Sequence, residues 1–344
     1  MMTYKMELRV LTSVHIGGGS DYEISKYEYL KTPNSDILTI IDMKKLYSKL
    51  RQMKLDERFY DFILNARGEK SSLDSFIKEN IPVNIRNSLI EDVKKYEIEC
   101  FGSNFYNISG FIKDKKTNMP YIPGSSIKGM ISTAIETSLR KNSPDNFKEI
   151  LKKIMGCIYV SDSSLIDYSN VLADFIYYLS PDKYNYLNQY YEMLKNDTVV
   201  YFTLNVDEEK LNTAGLQSYR INGNTIMEMI NDYVKEYEDK YASKYSAKDL
   251  IIVESERNNK TCKCYLGGKT GFPTKSYYYQ IKNSYEAANE VSRILDDKFK
   301  NLRGRHLNRF KVAPNCLKCI YVYEDDCFYE NGAVQISIIE TINN

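Results

Sequence analysis

At 344 residues, with 43% hydrophobic and 27% charged residues, the chain has the mixture of a globular protein and exceeds the roughly 250 residues that one core usually serves, so two cores are expected. No run approaches the roughly 18 apolar residues of a membrane span, and the polar, alternating start is unlike a signal peptide, which points to no membrane association and a cytoplasmic location. A net charge of only +1 excludes a globally basic surface, and any polyanion would have to be held by local patches and backbone donors.

Residues 4–11 alternate, with Tyr4, Met6, Leu8 and Val10 on one face and Lys5, Glu7 and Arg9 on the other, the pattern of a half-buried strand. It runs into His15-Ile16-Gly17-Gly18-Gly19, where three glycines force a loop. Strands are expected at 27–30 and 37–41, then a series of short helices from 43 to about 96 that forms an insertion or cap. Residues 119–126 read as an extended approach and a turn, followed by Ile127, Met130, Ile131, Ala134, Ile135 and Leu139 at helical spacing behind a serine N-cap. A short helix after Pro144 and a strand at 158–161 come next, and the tyrosine-rich 165–196 shows no clear pattern. A boundary is placed near 196. Beyond it come a strand at 198–206, a long helix striped by Ile226, Met229, Ile230, Tyr233, Val234 and Tyr237, strands at 250–253 and 262–266, a helix over 285–302, and strands at 317–323 and 333–339. That is a ferredoxin-like β-α-β-β-α-β order with one extra strand.

Two constellations carry polyanion chemistry. In Pro123-Gly124-Ser125-Ser126-Ile127-Lys128-Gly129, a helix amino terminus offers unpaired amides beside two hydroxyls and a lysine, which attracts phosphate. An ordinary capped helix has the same spacing. In Leu266-Gly267-Gly268-Lys269-Thr270-Gly271-Phe272-Pro273-Thr274-Lys275, three glycines accompany two lysines and two threonines. The segment Gly-Lys-Thr ends a nucleotide-binding P-loop, but Lys263 stands where that loop needs its first glycine and Pro273 interrupts any helix. The ATPase reading therefore fails, leaving a loop that follows a polyanion backbone or a flexible hairpin turn.

His15 is placed where a general base could sit, yet His306 lies far off within the basic stretch 303–309 and no second acid-base partner is evident, so binding or packing is favoured over ribonuclease chemistry. Asp162 and Asp21 adjoin candidate loops without a second carboxylate at metal-binding spacing, so capping or loop ordering is the expected role of each. The seven cysteines read as reduced thiols; Cys262 and Cys264 share a strand face whereas Cys316 and Cys319 would not, so neither a metal nor another cofactor is expected.

Leu11-Thr-Ser-Val-His-Ile-Gly-Gly-Gly19, Tyr121-Ile-Pro-Gly-Ser-Ser-Ile-Lys-Gly129, Ile158-Tyr-Val-Ser-Asp-Ser163 and Leu266-Gly-Gly-Lys-Thr-Gly-Phe272, in this order, resemble the RAMP superfamily of CRISPR proteins, and within it the family of fifth subunits of type III-A Csm complexes. The resemblance implies an α+β fold of two ferredoxin-like (RRM-like) domains, here 1–196 with the helical insertion at about 43–96, and 197–344. It implies a non-catalytic head subunit contacting the 3′ side of the guide RNA (crRNA), touching the adjacent backbone RAMP subunit among other Csm subunits, and recruiting nucleases that trim the guide during maturation. RNA-facing positions carried over are His15, Gly17, Gly18 and Gly19; Ser125, Ser126, Lys128 and Gly129; and Gly267, Gly268, Lys269, Thr270 and Gly271, with Lys275 beside them. The alternatives are a metal-independent guide-processing endoribonuclease using His15 and a RAMP subunit of the related Cmr complex.

Overall fold

The computed structural model describes residues 1–19, 22–31, 35–65, 72–101, 107–142, 145–180, 183–245, 250–308, 311–322 and 325–343. The fold is mixed α+β. The alternating amino terminus forms the strand Met2–Val10, burying Tyr4, Met6, Leu8 and Val10, since period two puts every second side chain on the core face. It pairs antiparallel with Val199–Val206 on one side and with Ala333–Asn343 on the other. Ile158–Val160 extends the sheet beyond the former and Thr261–Tyr265 beyond the latter.

Helices Gly124–Asn142 and Gly223–Lys240 pack on each other and contact this sheet. Their buried stripes, Ile127, Ile131 and Ile135 on one and Ile226, Ile230 and Val234 on the other, share a core with Met6 and Leu8; each such side chain contributes on the order of 1.5–3 kcal/mol by leaving water. Asn222 starts the second helix with a reciprocal capping box to Thr225, satisfying amides that a helix end otherwise leaves unpaired. No described helix is long and apolar enough to cross a membrane.

A second sheet is centred on the hairpin Val171–Ser180 and Lys183–Leu194. The first of these strands also pairs antiparallel with Leu317–Val322 and parallel with Lys94–Cys100. This is the segment that shows no sequence pattern. From Val171 to Tyr177 every residue is buried, so both faces are covered and the alternation that would mark a strand is absent. Residues 94–96, expected to be helical, likewise belong to the strand Lys94–Cys100. The preceding helices Met43–Gln52, Asp56–Asn65, Leu73–Asn80 and Val83–Val93 have a core of their own around Leu46, Leu50, Phe59, Phe76 and Leu89. Residue 196 lies in the turn before Val199–Val206, and each sheet contains strands from both sides of it.

Two buried ion networks tie the layers. Glu192 accepts from Lys113 Nζ at 2.6 Å, from the Tyr96 hydroxyl at 2.6 Å and from the Phe111 amide at 2.8 Å. Lys263, fully buried, donates to Glu330, to Glu238 at 2.8 Å and to the Val253 carbonyl at 2.7 Å.

Candidate nucleic-acid interface

The two glycine-rich loops, remote in sequence, are joined through their backbones. The Gly268 amide donates to the His15 carbonyl at 3.0 Å, and the neighbouring Gly332 amide donates to the Ser13 carbonyl at 3.0 Å while its own carbonyl accepts from Leu266 at 2.9 Å. Such closeness needs glycine at Gly267, where φ is +98° and a Cβ would stand 2.2 Å from the His15 carbonyl oxygen, a conformation and a contact that a side chain forbids. Within the second loop Thr274 donates to Thr270 at 2.9 Å and to the Gly271 carbonyl at 3.1 Å. The loop is held by its own threonines; it is not a loose hairpin turn.

The third element is the start of the helix Gly124–Asn142. Gly124 lies against the end of the strand Ile158–Val160, where a Cβ would meet the Val160 carbonyl oxygen at 2.4 Å, and its amide donates to Asp162 Oδ1 at 2.8 Å. Asp162 therefore caps this helix from a remote loop, and the expected serine N-cap does not form because Ser125 and Ser126 lie within the first turn; the aspartate occupies an amide that was expected to receive phosphate. Ser125 and Gly129 remain exposed on the next positions. They meet the loops in a cleft of about 430 Å³: Gly17 from the first loop, Ser125, Ser126 and Gly129 from the helix, and Gly267, Gly268 and Lys275 from the second loop. Lys128 is not in it. Its ammonium turns to the Ile158 carbonyl at 2.6 Å and lies 5.8 Å from the Tyr159 ring centre. Gly18 sits under the Tyr22 ring, Gly19 has φ +89° with open space around it, and Asp21 lies outside the described residues.

Cations gather beside this cleft. Lys269 stands 4.6 Å from the Tyr191 ring centre and Lys318 6.0 Å from that of Tyr178, cation–π placements that hold a lysine without neutralising it. Burial holds the Lys269, Lys275 and Lys318 ammonium groups below the usual lysine range, and Lys269 lowers the other two further by like-charge repulsion. Among the described residues no carboxylate pairs with any of the three. A cluster of unneutralised cations draws polyanions. Lys318, Tyr178 and Tyr191 are absent from the sequence reading. The alternation of Leu317, Lys318 and Cys319 is the signal for the lysine; the tyrosines lie in the unpatterned hairpin.

His15 is buried. Its Nδ1 lies 2.8 Å from the Glu192 carbonyl, and since a carbonyl only accepts, Nδ1 carries the proton and Nε2 the lone pair. Burial pushes its pKa down to about 4, assisted by Lys269 against the opposing pull of the Glu192 carbonyl and carboxylate. A Cβ on Gly17 would lie 3.1 Å from Nε2. The imidazole thus fills space behind the first loop between Phe111 and Tyr191. Cys262 meets the Met227 sulfur in the core at 3.3 Å, and no group of metal-ligating side chains occurs among the described residues.

The family model of the RAMP superfamily matches residues 7–291, and the chain belongs to that superfamily. Over 96% of its length it is 25% identical to the CRISPR system Cms protein Csm5 of Enterococcus italicus, of which 95% is covered. A Csm5 of Streptococcus thermophilus is 30% identical over 42% of the chain and 41% of the relative. Among solved structures, a chain of a Csm–crRNA–target RNA ternary complex of a type III-A CRISPR-Cas system matches with a TM-score of 0.62 and 17% identity, covering 98% of this chain and all of that one. The crystal structure of T. onnurineus Csm5 matches with a TM-score of 0.60 and 15% identity over 96% and 99%. The likeness to these two structures is one of fold.

Proposed function

We propose that the chain is the RNA-binding head subunit of a type III-A Csm effector complex, holding the 3′ side of the guide RNA in the cleft where the two glycine loops and the helix start converge. The observation that carries this reading is the convergence of Gly17, Ser125, Ser126 and Gly267 beside Lys269, Lys275 and Lys318, cations without a carboxylate partner among the described residues. Backbone amides and hydroxyls position phosphates, and the lysines supply counter-charge whatever the guide sequence. Full-length similarity to a protein named Csm5 and a fold shared with a chain of an RNA-containing Csm complex support the assignment. The spatial order of the strands Ala333–Asn343, Met2–Val10, Val199–Val206 and Ile158–Val160 supports a ferredoxin-like unit drawn from both ends of the chain.

The subunit acts by binding, touches the neighbouring backbone RAMP subunit, and assists maturation by bringing trimming nucleases to the guide. A neutral, buried His15 supports packing over acid-base chemistry. The test is co-purification of the tagged chain with its complex, followed by a salt titration of guide RNA binding. Wild type should bring down a ladder of short RNAs with Csm subunits, and Lys269→Ala with Lys275→Ala should weaken binding and flatten its salt dependence by about 1 logarithmic unit per lost phosphate contact. Unchanged binding across the titration would remove the site. Cleavage of repeat RNA in EDTA that disappears in His15→Ala would replace the binding role with the ribonuclease.

A further inference from the structure

Next to the glycine-loop cleft, and sharing Gly268 and Lys275 with it, lies a second cleft of about 550 Å³, inside the range of roughly 300–1,000 Å³ typical of small-ligand sites. Its lining is divided by chemistry. Tyr178, Tyr241, Phe272, Phe299 and Leu302 supply aromatic and aliphatic surface, and Lys275, Lys298, Arg305 and Lys318 supply cations. Among the described residues no carboxylate lines it, and no ion pair uses any of the four cations. Tyr241 is 1% exposed and its hydroxyl is already engaged with the Cys316 carbonyl at 3.0 Å, whereas Phe299 and Leu302 are each 46% exposed. The cleft therefore runs from a closed aromatic end to an open apolar lip. In its wall the buried Nε2 of His306 has no hydrogen-bond partner, with Asp296 Oδ1 3.9 Å away.

An apolar protein segment would fill such a cleft without using the cations, and a free phosphate would leave the aromatic interior empty. A nucleotide uses both, because a base has an apolar π-face and polar edges while its phosphate is an anion. We infer that this second cleft receives one unstacked nucleobase of the RNA strand held by the glycine loops, the adjoining phosphate resting between Lys275 and Lys318. The inference rests on the RNA-binding reading above and adds a base-accepting site to a backbone-holding one. The shared Gly268 and Lys275 carry the strand from one cleft into the next. Stacking on rings is tolerant of base identity, so the site discriminates base from no base more than one base from another.

The test is an abasic scan. Guide RNAs carrying one abasic residue at successive positions are bound to the full chain by fluorescence anisotropy, for wild type and for Phe299→Ala and Leu302→Ala, whose exposed positions leave the fold intact. In wild type one position should lose about tenfold in affinity when its base is removed. In Phe299→Ala that position should lose nothing further, while the salt dependence stays that of wild type. Free nucleoside monophosphates in excess should not reproduce the effect, because strand continuity places the base; full competition by them would make the cleft a free-nucleotide site and overturn the inference. An abasic profile flat in wild type, with salt-dependent binding retained, would remove the base site and leave the RNA-binding reading standing. Phe299→Ala that spares the RNA profile and instead detaches the chain from its neighbouring subunits would make the cleft a protein interface, which also sinks the inference.

Discussion

The amide of Gly268 donates to the carbonyl of His15 at 3.0 Å, and the preceding Gly267 brings its Cα so close to that same carbonyl that a Cβ would stand 2.2 Å away at φ +98°. One hydrogen bond thus fixes the distance between loops from opposite halves of the chain.

Gly267→Ala should destabilise the protein by about 2 kcal/mol or more, combining a left-handed backbone with a contact to rigid main chain. Gly268→Ala, where a Cβ meets nothing within 4 Å, should leave the unfolding free energy within about 0.5 kcal/mol of wild type. Urea unfolding of the two variants side by side checks the geometry; equal midpoints would contradict it.

Lys318→Ala and Lys128→Ala should separate. Removing Lys318, which belongs to the unneutralised cluster, should lower the slope of log affinity against log salt by about 1 if it meets a phosphate. Removing Lys128, engaged with the Ile158 carbonyl, should leave that slope alone and lower stability by at most about 1 kcal/mol. A reversed ranking in an anisotropy titration would place the RNA on the other side of the helix start.

Lys263→Met should cost about 3–5 kcal/mol, because it strands the buried Glu330 carboxylate and removes a partner of Glu238. Burial already pushes the Glu330 pKa up, opposed by Lys263. Adding Glu330→Gln to Lys263→Met should therefore restore much of the loss. Chemical denaturation of the single and double variants gives the coupling, and additivity of the two changes would deny the pair.

His15 and Asp174 should pull the pH dependence of stability in opposite directions. The folded-state His15 pKa is down at about 4 against an ordinary 6.5, so its contribution is full above pH 6.5 and is lost as pH falls toward 4, by about 2 kcal/mol between pH 7 and pH 5. Burial raises Asp174 to about 7 from 3.8, against the Phe175 amide; its contribution is full below pH 3.8 and is lost as pH rises toward 7. His15→Asn should show stability falling as pH rises through this window, and Asp174→Asn the reverse. Parallel profiles for both variants would show that neither group titrates as its burial demands.

How far the fold was legible depended on burial on one side. Met2–Val10 and the helix Gly223–Lys240 each bury one face, so their periods of two and 3.6 are written in the residues. The hairpin Val171–Ser180 with Lys183–Leu194 supplies Tyr178 and Tyr191 to the cationic face, yet the buried run that opens it carries no period. Lys94–Cys100 is the opposite case: Tyr96, Ile98 and Cys100 point inward and Lys95, Glu97 and Glu99 outward, a period of two that follows a helical series without a break and was not separated from it.

The residues by themselves determined which segments are loops, that the Gly-Lys-Thr sequence is no P-loop, and that a helix begins at the Pro-Gly-Ser-Ser turn, because glycine, proline and capping residues act within a few positions of themselves. Tertiary structure alone decided that Ala333–Asn343 lies beside Met2–Val10, that Asp162 takes the Gly124 amide, that Lys128 turns away while Lys318 joins Lys269 and Lys275, and that two remote loops and a helix start form one cleft. Those outcomes depend on long-range pairing and on the direction a side chain takes once its element is packed. Neither is encoded in local spacing.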